Sequence, residues 1–134
     1  MSQENVEVVR SAIEVFVRDG TGGSFEGLVA ENVELRPAFD VTGGTNFVGG
    51  QGFARFMRQW TEDFDDWELE VDELRDAGEA AVVARMRQSA RGKVSGTPVE
   101  LRYGMVFRLR DRQIVGMEVY MTDAEALKAV GLAE

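Results

Sequence analysis

The sequence predicts an α+β fold in which a few helices cover one face of a curved, mainly antiparallel sheet. Two observations carry this. Apolar residues recur at steps of three and four from Val6 to Val17 and again from Phe53 to Trp60, which is helical spacing. From Trp67 onward apolar and polar residues alternate singly through successive runs, which is the pattern of strands with one face buried and one wet.

Val6, Val9, Ala12, Ile13, Phe16 and Val17 mark one face of a first helix over about Gln3 to Asp19. Ser2 is its expected cap, and Gly20 to Gly23 end it. Ser24 opens a short second helix carrying Phe25, Leu28 and Val29. Asn32 to Arg36 reads as a strand stopped by Pro37. Phe39 to Val48, with Val41, Gly43, Gly44 and Phe47, reads as a small hairpin or ordered loop. Gly49, Gly50 and Gly52 break the chain before a third helix bearing Phe53, Phe56, Met57 and Trp60.

Four strands follow. In the first, Trp67, Leu69 and Val71 alternate with Glu68, Glu70 and Asp72, and Ala77, Gly78 and Glu79 turn the chain. Ala80 to Gln88 is the second, and Arg91 to Pro98 is a loop. In the third, Leu101, Tyr103, Met105, Phe107 and Leu109 alternate with Glu100, Arg102, Gly104, Val106 and Arg108, before a turn at Asp111 and Arg112. In the fourth, Val115, Met117, Val119 and Met121 alternate with Gly116, Glu118 and Tyr120. Short turns make this a meander of sequential neighbours. Asp123 is the expected cap of a last short helix through Leu127, ended by Gly131. With 134 residues and no linker, repeat or low-complexity stretch, one domain over residues 1–134 is expected.

Composition narrows the chemistry. There is no cysteine and no histidine. Thiolate chemistry, the usual zinc ligands and a Ser-His triad are therefore excluded. Catalysis would rest on carboxylates, Tyr, Lys, Arg or bound water. The formal net charge of −9 opposes nucleic acid and anionic membrane surfaces as partners. Met1 to Asn5 lead straight into the amphipathic pattern, so a signal peptide is not expected. No apolar run is long enough to span a bilayer, and the cytoplasm is the expected location.

The wet strand faces carry charge in stripes. Glu68, Glu70 and Asp72 lie on one strand, Arg85 and Arg87 on the next, and Glu100, Arg102, Arg108 and Glu118 further on. Opposite charges on adjacent strands form cross-strand pairs. This puts Arg85 and Arg87 outside any pocket, and points Val82, Ala84 and Met86 inward. A neutralised outer face is also compatible with pairing in a dimer.

Several local strings occur in a familiar order: Glu4-Asn5-Val6-Glu7-Val8-Val9-Arg10, Phe47-Val48-Gly49-Gly50-Gln51-Gly52-Phe53 and Ser95-Gly96-Thr97-Pro98-Val99-Glu100. Val106-Phe107-Arg108-Leu109-Arg110-Asp111 and Ala126-Leu127-Lys128-Ala129-Val130-Gly131-Leu132 complete the set. Together they resemble the SnoaL-like, polyketide cyclase-like branch of the nuclear transport factor 2-like superfamily over nearly the whole chain. The resemblance implies a cone-shaped roll, with three N-terminal helices packed on the concave face of the bent sheet, and frequent homodimers. It also implies activities such as polyketide cyclase, ketosteroid isomerase, scytalone dehydratase or limonene epoxide hydrolase. The residues of those enzymes are not matched here. Where the isomerases keep an Asp before a Pro, this chain has Arg36-Pro37, with Asp40 close by, and its first helix has no Tyr. The hydrolases' Arg-x-Asp falls on Arg85-Met86-Arg87, and their last-strand Asp falls on Val119. That alignment would turn Arg85 into the pocket, whereas the charge stripes turn it out.

The candidate ligand pocket comprises Phe16, Arg36, Asp40, Phe56, Trp60, Tyr103, Met105, Met117, Val119 and Met121. Apolar walls with a few polar groups suit a small molecule, and most such residues also serve simply as core. Tyr103 sits on an apolar strand face where its hydroxyl needs a partner. Arg36 and Asp40 flank Pro37 at the expected mouth. Gly49-Gly50-Gln51-Gly52 lacks the Lys and Ser/Thr of a P-loop and reads as a tight turn. The acidic run from Asp63 to Asp72 lacks calcium-loop spacing. The expected function is a hydrophobic small-molecule pocket, in a homodimer. Its work would be that of a cofactor-independent cyclase, isomerase or lyase on a cyclic or polyketide-like ligand, or of a non-enzymatic binder or carrier. A protein-interaction module using the outer sheet face is a further alternative. Neither metal nor cofactor is expected.

Overall fold

The chain folds as α1 (Ser2–Asp19), β1 (Val29–Arg36), β2 (Phe47–Val48), α2 (Gly49–Thr61) and β3 (Phe64–Asp76), followed by β4 (Ala81–Gly92), β5 (Pro98–Arg110), β6 (Gln113–Tyr120) and α3 (Asp123–Ala129). The structure is a computed structural model, which describes residues 2–37, 47–78 and 80–132. Phe39, Asp40, Val41, Gly43, Gly44 and Glu79 lie outside the described residues. None of the described helices is long and apolar enough to cross a membrane.

The six strands form one open mixed sheet in the order β2-β1-β6-β5-β4-β3. From β3 to β6 sequential neighbours pair antiparallel, as alternation and short turns predict. β5 turns into β6 at Asp111 and Arg112, both with positive φ, the backbone a two-residue hairpin needs to match strand twist. β1 joins the far side of β6 in parallel and pairs with β2 antiparallel.

Alternation sorts the strand residues as expected. Val33, Leu35, Val82, Ala84, Met86, Tyr103, Met105, Phe107, Leu109, Met117 and Val119 enter one core with Val6, Val9 and Ala12 of α1 and Phe56 of α2. The opposite face is covered at one end by α3. There Ala81, Val83 and Val106 meet Ala126 and Leu127 in a second, smaller cluster. The approach is close at Gly104, where a Cβ would stand 2.8 Å from Asp123 Cα.

Several local expectations are corrected. Residues 24–28 form a turn, not a second helix, with the Leu28 and Val29 N–H groups both donating to the Phe25 carbonyl. Val29 is already paired with Ile114 in the sheet, so too few residues remain to repay helix nucleation. Ser2 is the first residue of α1 rather than its cap. Val17 is 57% exposed and falls outside the buried stripe of α1. In β6 the register shifts between Arg108 and Leu109, which pair with Gly116 and Ile114. Val115 is the extra residue at this bulge, and Ile114 takes the buried place expected for it. α3 is capped by Thr122, whose hydroxyl accepts from the Glu125 N–H at 3.1 Å. Asp123 is thereby free to turn to Arg85.

Candidate functional site

The inward faces of β4, β5 and β6 form the floor of a cavity of about 1050 Å³. Met86, Tyr103, Met105, Phe107, Ile114, Met117 and Val119 supply that floor. α1 contributes Ala12, Ile13 and Phe16, and α2 contributes Phe53, Phe56, Met57 and Trp60. Trp67 and Leu69 of β3 close one side. Thr21, residues 25–27 and residues 29–32 border the cavity, with polar groups at Glu26, Glu31 and Asn32.

α2 is brought to this place by a sharp turn. β2 ends at Val48, and α2 begins at once with Gly49, whose φ is +75°. A Cβ there would lie 3.2 Å from the Glu31 carbonyl oxygen. Glycine therefore answers both the backbone sign and the crowding, and the strand-to-helix turn expected of this string is what forms.

The aromatic residues of the lining hold one another in edge and stacked contacts. Phe16 meets Phe53 at 5.6 Å and Trp67 at 5.9 Å between ring centroids, both edge-on. Phe56 stacks on Trp60 at 5.5 Å, and Trp60 meets Tyr103 at 6.5 Å. Such contacts fix ring orientation beyond what area burial alone would do. Trp60 is fixed further because its indole N–H donates to Gln88 Oε1 at 3.0 Å. Gln88 is only 8% exposed. It continues the inward row of Val82, Ala84 and Met86, and that parity was the available signal for a buried polar group.

Two donors on lining residues lack partners among the described residues. Tyr103 is 7% exposed and its hydroxyl makes no hydrogen bond to them. Burial pushes its pKa above the ordinary phenol value, so the hydroxyl stays protonated and acts as a donor rather than a base. The indole N–H of Trp67 is buried and unpaired as well. A buried donor in the condition of the Trp67 indole is uncommon and calls for a reason, whereas the Tyr103 hydroxyl belongs to the cavity lining.

Of the residues expected to form a pocket, Phe16, Phe56, Trp60, Tyr103, Met105, Met117 and Val119 line this cavity together. Asp40 lies outside the described residues. Arg36 does not line it. Leu35 takes the inward position on β1, so Arg36 faces the outer side with Glu34, 3.8 Å away, and stands opposite Glu118 in register. Met121 is also off the cavity and 39% exposed, because β6 ends at Tyr120 and the chain turns toward α3. Glu26 and Glu31 are among the residues around the cavity that alternation did not single out, and they lie where the short helix was expected and just beyond it.

The outer sheet face carries the charges, as the stripes predict. Arg85 reaches Glu73 at 3.4 Å and Asp123 at 3.0 Å. Arg87 reaches Glu70 and Asp72. Arg85 is therefore turned away from the cavity, and the hydrolase-like alignment does not hold at this strand. Further along, Arg108 clasps Glu118 through Nε and Nη2 at 3.0 and 3.3 Å, and the Tyr120 hydroxyl donates to Glu118 at 2.8 Å. Burial alone would raise the Glu118 carboxyl. Hydrogen bonds from Arg108 and Tyr120, with the charges of Arg108 and Arg36, outweigh it and hold the group below the usual carboxylate range. Among the described residues no cluster of three or more acidic side chains is arranged to hold a metal ion.

The family model described as the SnoaL-like domain matches residues 9–117. No curated protein matches the chain in sequence. Solved structures share the fold. An NTF2-like protein of unknown function from Burkholderia pseudomallei is 20% identical with a TM-score of 0.74, over 96% of this chain and 98% of that one. TerC co-crystallised with polyporic acid is 17% identical with a TM-score of 0.74, over 95% and 98%. A Xanthomonas campestris protein with a provisional designation as a polyketide cyclase is 19% identical with a TM-score of 0.68, over 97% and 98%.

Proposed function

Since the chain belongs to the SnoaL-like domain family, we propose that it takes a hydrophobic cyclic or polyketide-like molecule into the cavity between α1, α2 and the sheet. The observation that carries this reading is the unpartnered, protonated Tyr103 hydroxyl among apolar and aromatic lining residues. A ligand carbonyl oxygen at that hydroxyl would gain a hydrogen bond among apolar walls. Polarising that carbonyl is the contribution Tyr103 makes to a cyclase-, isomerase- or lyase-type rearrangement. Phe16, Phe56, Trp60, Met105, Met117 and Val119 hold the ligand's apolar body. A fold relative co-crystallised with polyporic acid is in keeping with a small-molecule ligand. No metal or cofactor is invoked. The working unit is a cytoplasmic homodimer of single-domain chains.

A carrier is the second reading, and one observation favours it. The lining carboxylates among the described residues, Glu26 and Glu31, are exposed at the border, and none lies on the floor beside Tyr103. Native mass spectrometry of the protein purified from its own host, followed by denaturing release, tests both readings. The expected result is a dimer carrying a defined hydrophobic molecule. A single-turnover incubation with that molecule then separates the roles: conversion means enzyme, and unchanged recovery means carrier. A cavity that takes up no hydrophobic probe at all would overturn the proposal.

A further inference from the structure

We infer that the cavity selects a hydrophobic amine, with an apolar body inside and a protonated nitrogen at the Glu26–Glu31 border. This rests on the pocket reading above and adds the charge class of the ligand. Among the described residues the charged side chains lining the cavity are both acidic, Glu26 and Glu31, and no Lys or Arg lines it.

The two glutamates are also uncommitted. On the outer face Glu70, Asp72, Glu73, Glu118 and Asp123 are each engaged by an arginine. Glu26 and Glu31 form no ion pair with any described residue. Exposed carboxylates stay hydrated, so a cation held beside them keeps part of its own water and avoids the cost of full burial. The same cavity is lined by the rings of Phe16, Phe53, Phe56, Trp60 and Trp67, and aromatic faces attract positive charge. An anionic ligand would meet the opposite conditions: two like charges at the border, no counter-charge in the lining among the described residues, and a chain of net charge −9. Tyr103, nine-tenths buried and without a partner among the described residues, offers a neutral hydroxyl that can donate to a ligand oxygen, so it suits the ligand's neutral inner end.

The test uses three probes with one body: 1-pyrenemethylamine, 1-pyrenemethanol and 1-pyrenecarboxylic acid, titrated by fluorescence at low salt. The expected order of affinity is amine, alcohol, acid, with the amine about tenfold or more tighter than the acid. That spread shrinks as salt is raised past about 0.15 M. In the E26Q/E31Q variant the amine and the acid fall within about threefold of each other. An acid that binds as tightly as the amine overturns the inference. So does an amine preference that survives the double substitution, since the protein's overall charge would then be its source. Alcohol binding with no amine preference overturns the inference and leaves the pocket reading standing. Failure of all three probes to bind overturns both.

Discussion

Replacing Gly104 with alanine probes the contact that docks α3 on the sheet. The added Cβ would stand 2.8 Å from Asp123 Cα, 2.9 Å from Ala126 Cβ and 2.9 Å from the Thr122 carbonyl oxygen. Carbon atoms prefer separations of about 3.5–4.0 Å, so α3 must retreat by roughly 0.7–1 Å. Two of the three obstacles are backbone atoms and cannot swing aside. A gap of that size forfeits a quarter to a half of the dispersion between α3 and the patch of Ala81, Val83 and Val106. Overpacking of this kind costs about 1–3 kcal/mol, and the lower entropy of the unfolded alanine chain returns about 0.5–1 kcal/mol. The net loss is about 1–2 kcal/mol. Unfolding entropy near 2.1 cal/mol/K per residue over 134 residues amounts to about 0.28 kcal/mol/K, so the midpoint falls by about 4–7 °C. Differential scanning calorimetry of wild type and G104A reads this directly. An unchanged or raised midpoint would refute the close packing of α3 on β5.

Other perturbations separate the roles of individual side chains. Gln88→Leu strands the Trp60 indole N–H and should cost about 1–3 kcal/mol in urea unfolding, with W60F/Q88L recovering part of the loss; purely additive effects would rule out the pair as a unit. Tyr103→Phe removes a hydroxyl with no partner among the described residues, so stability should stay level or rise, while affinity for a carbonyl-bearing ligand drops about three- to tenfold. A marked loss of stability in Y103F would mean the hydroxyl is already satisfied within the protein. Glu118 has a folded-state pKa below its ordinary 4.5. Its stabilising contribution is therefore full above that value and is lost as pH falls through the lower, folded one. The stability gap between wild type and E118Q should narrow as pH drops below 4.5, and a gap that widened there would contradict the assignment.

Local pattern was enough for much of this protein. Single alternation assigned the inward rows of β4 and β5 correctly, from Val82, Ala84 and Met86 to Tyr103, Met105 and Phe107, because a strand offers its side chains only two directions. The same two-way choice, read through charge, turned Arg85 and Arg87 outward, where both find acidic partners. Seven residues of the expected pocket line the cavity for this reason, being apolar positions on faces that had to be buried.

What pattern could not decide came from long-range pairing and from breaks in periodicity. The parallel union of β1 with β6 turned Arg36 to the outer side beside Glu118, and nothing local to Arg36-Pro37 encodes that partner. One extra residue at the β6 bulge exchanged Val115 for Ile114 on the inner side, because a bulge resets a period of two without leaving a mark in composition. Glu26 and Glu31 came to border the cavity only because pairing of Val29 with Ile114 drew residues 24–28 into a turn and carried β1 past the cavity. Composition determined the set of chemical groups available, with neither histidine nor cysteine among them. Tertiary structure decided which of those groups were buried, as Tyr103 was, and which stayed exposed, because burial belongs to the packed assembly and not to any stretch of chain.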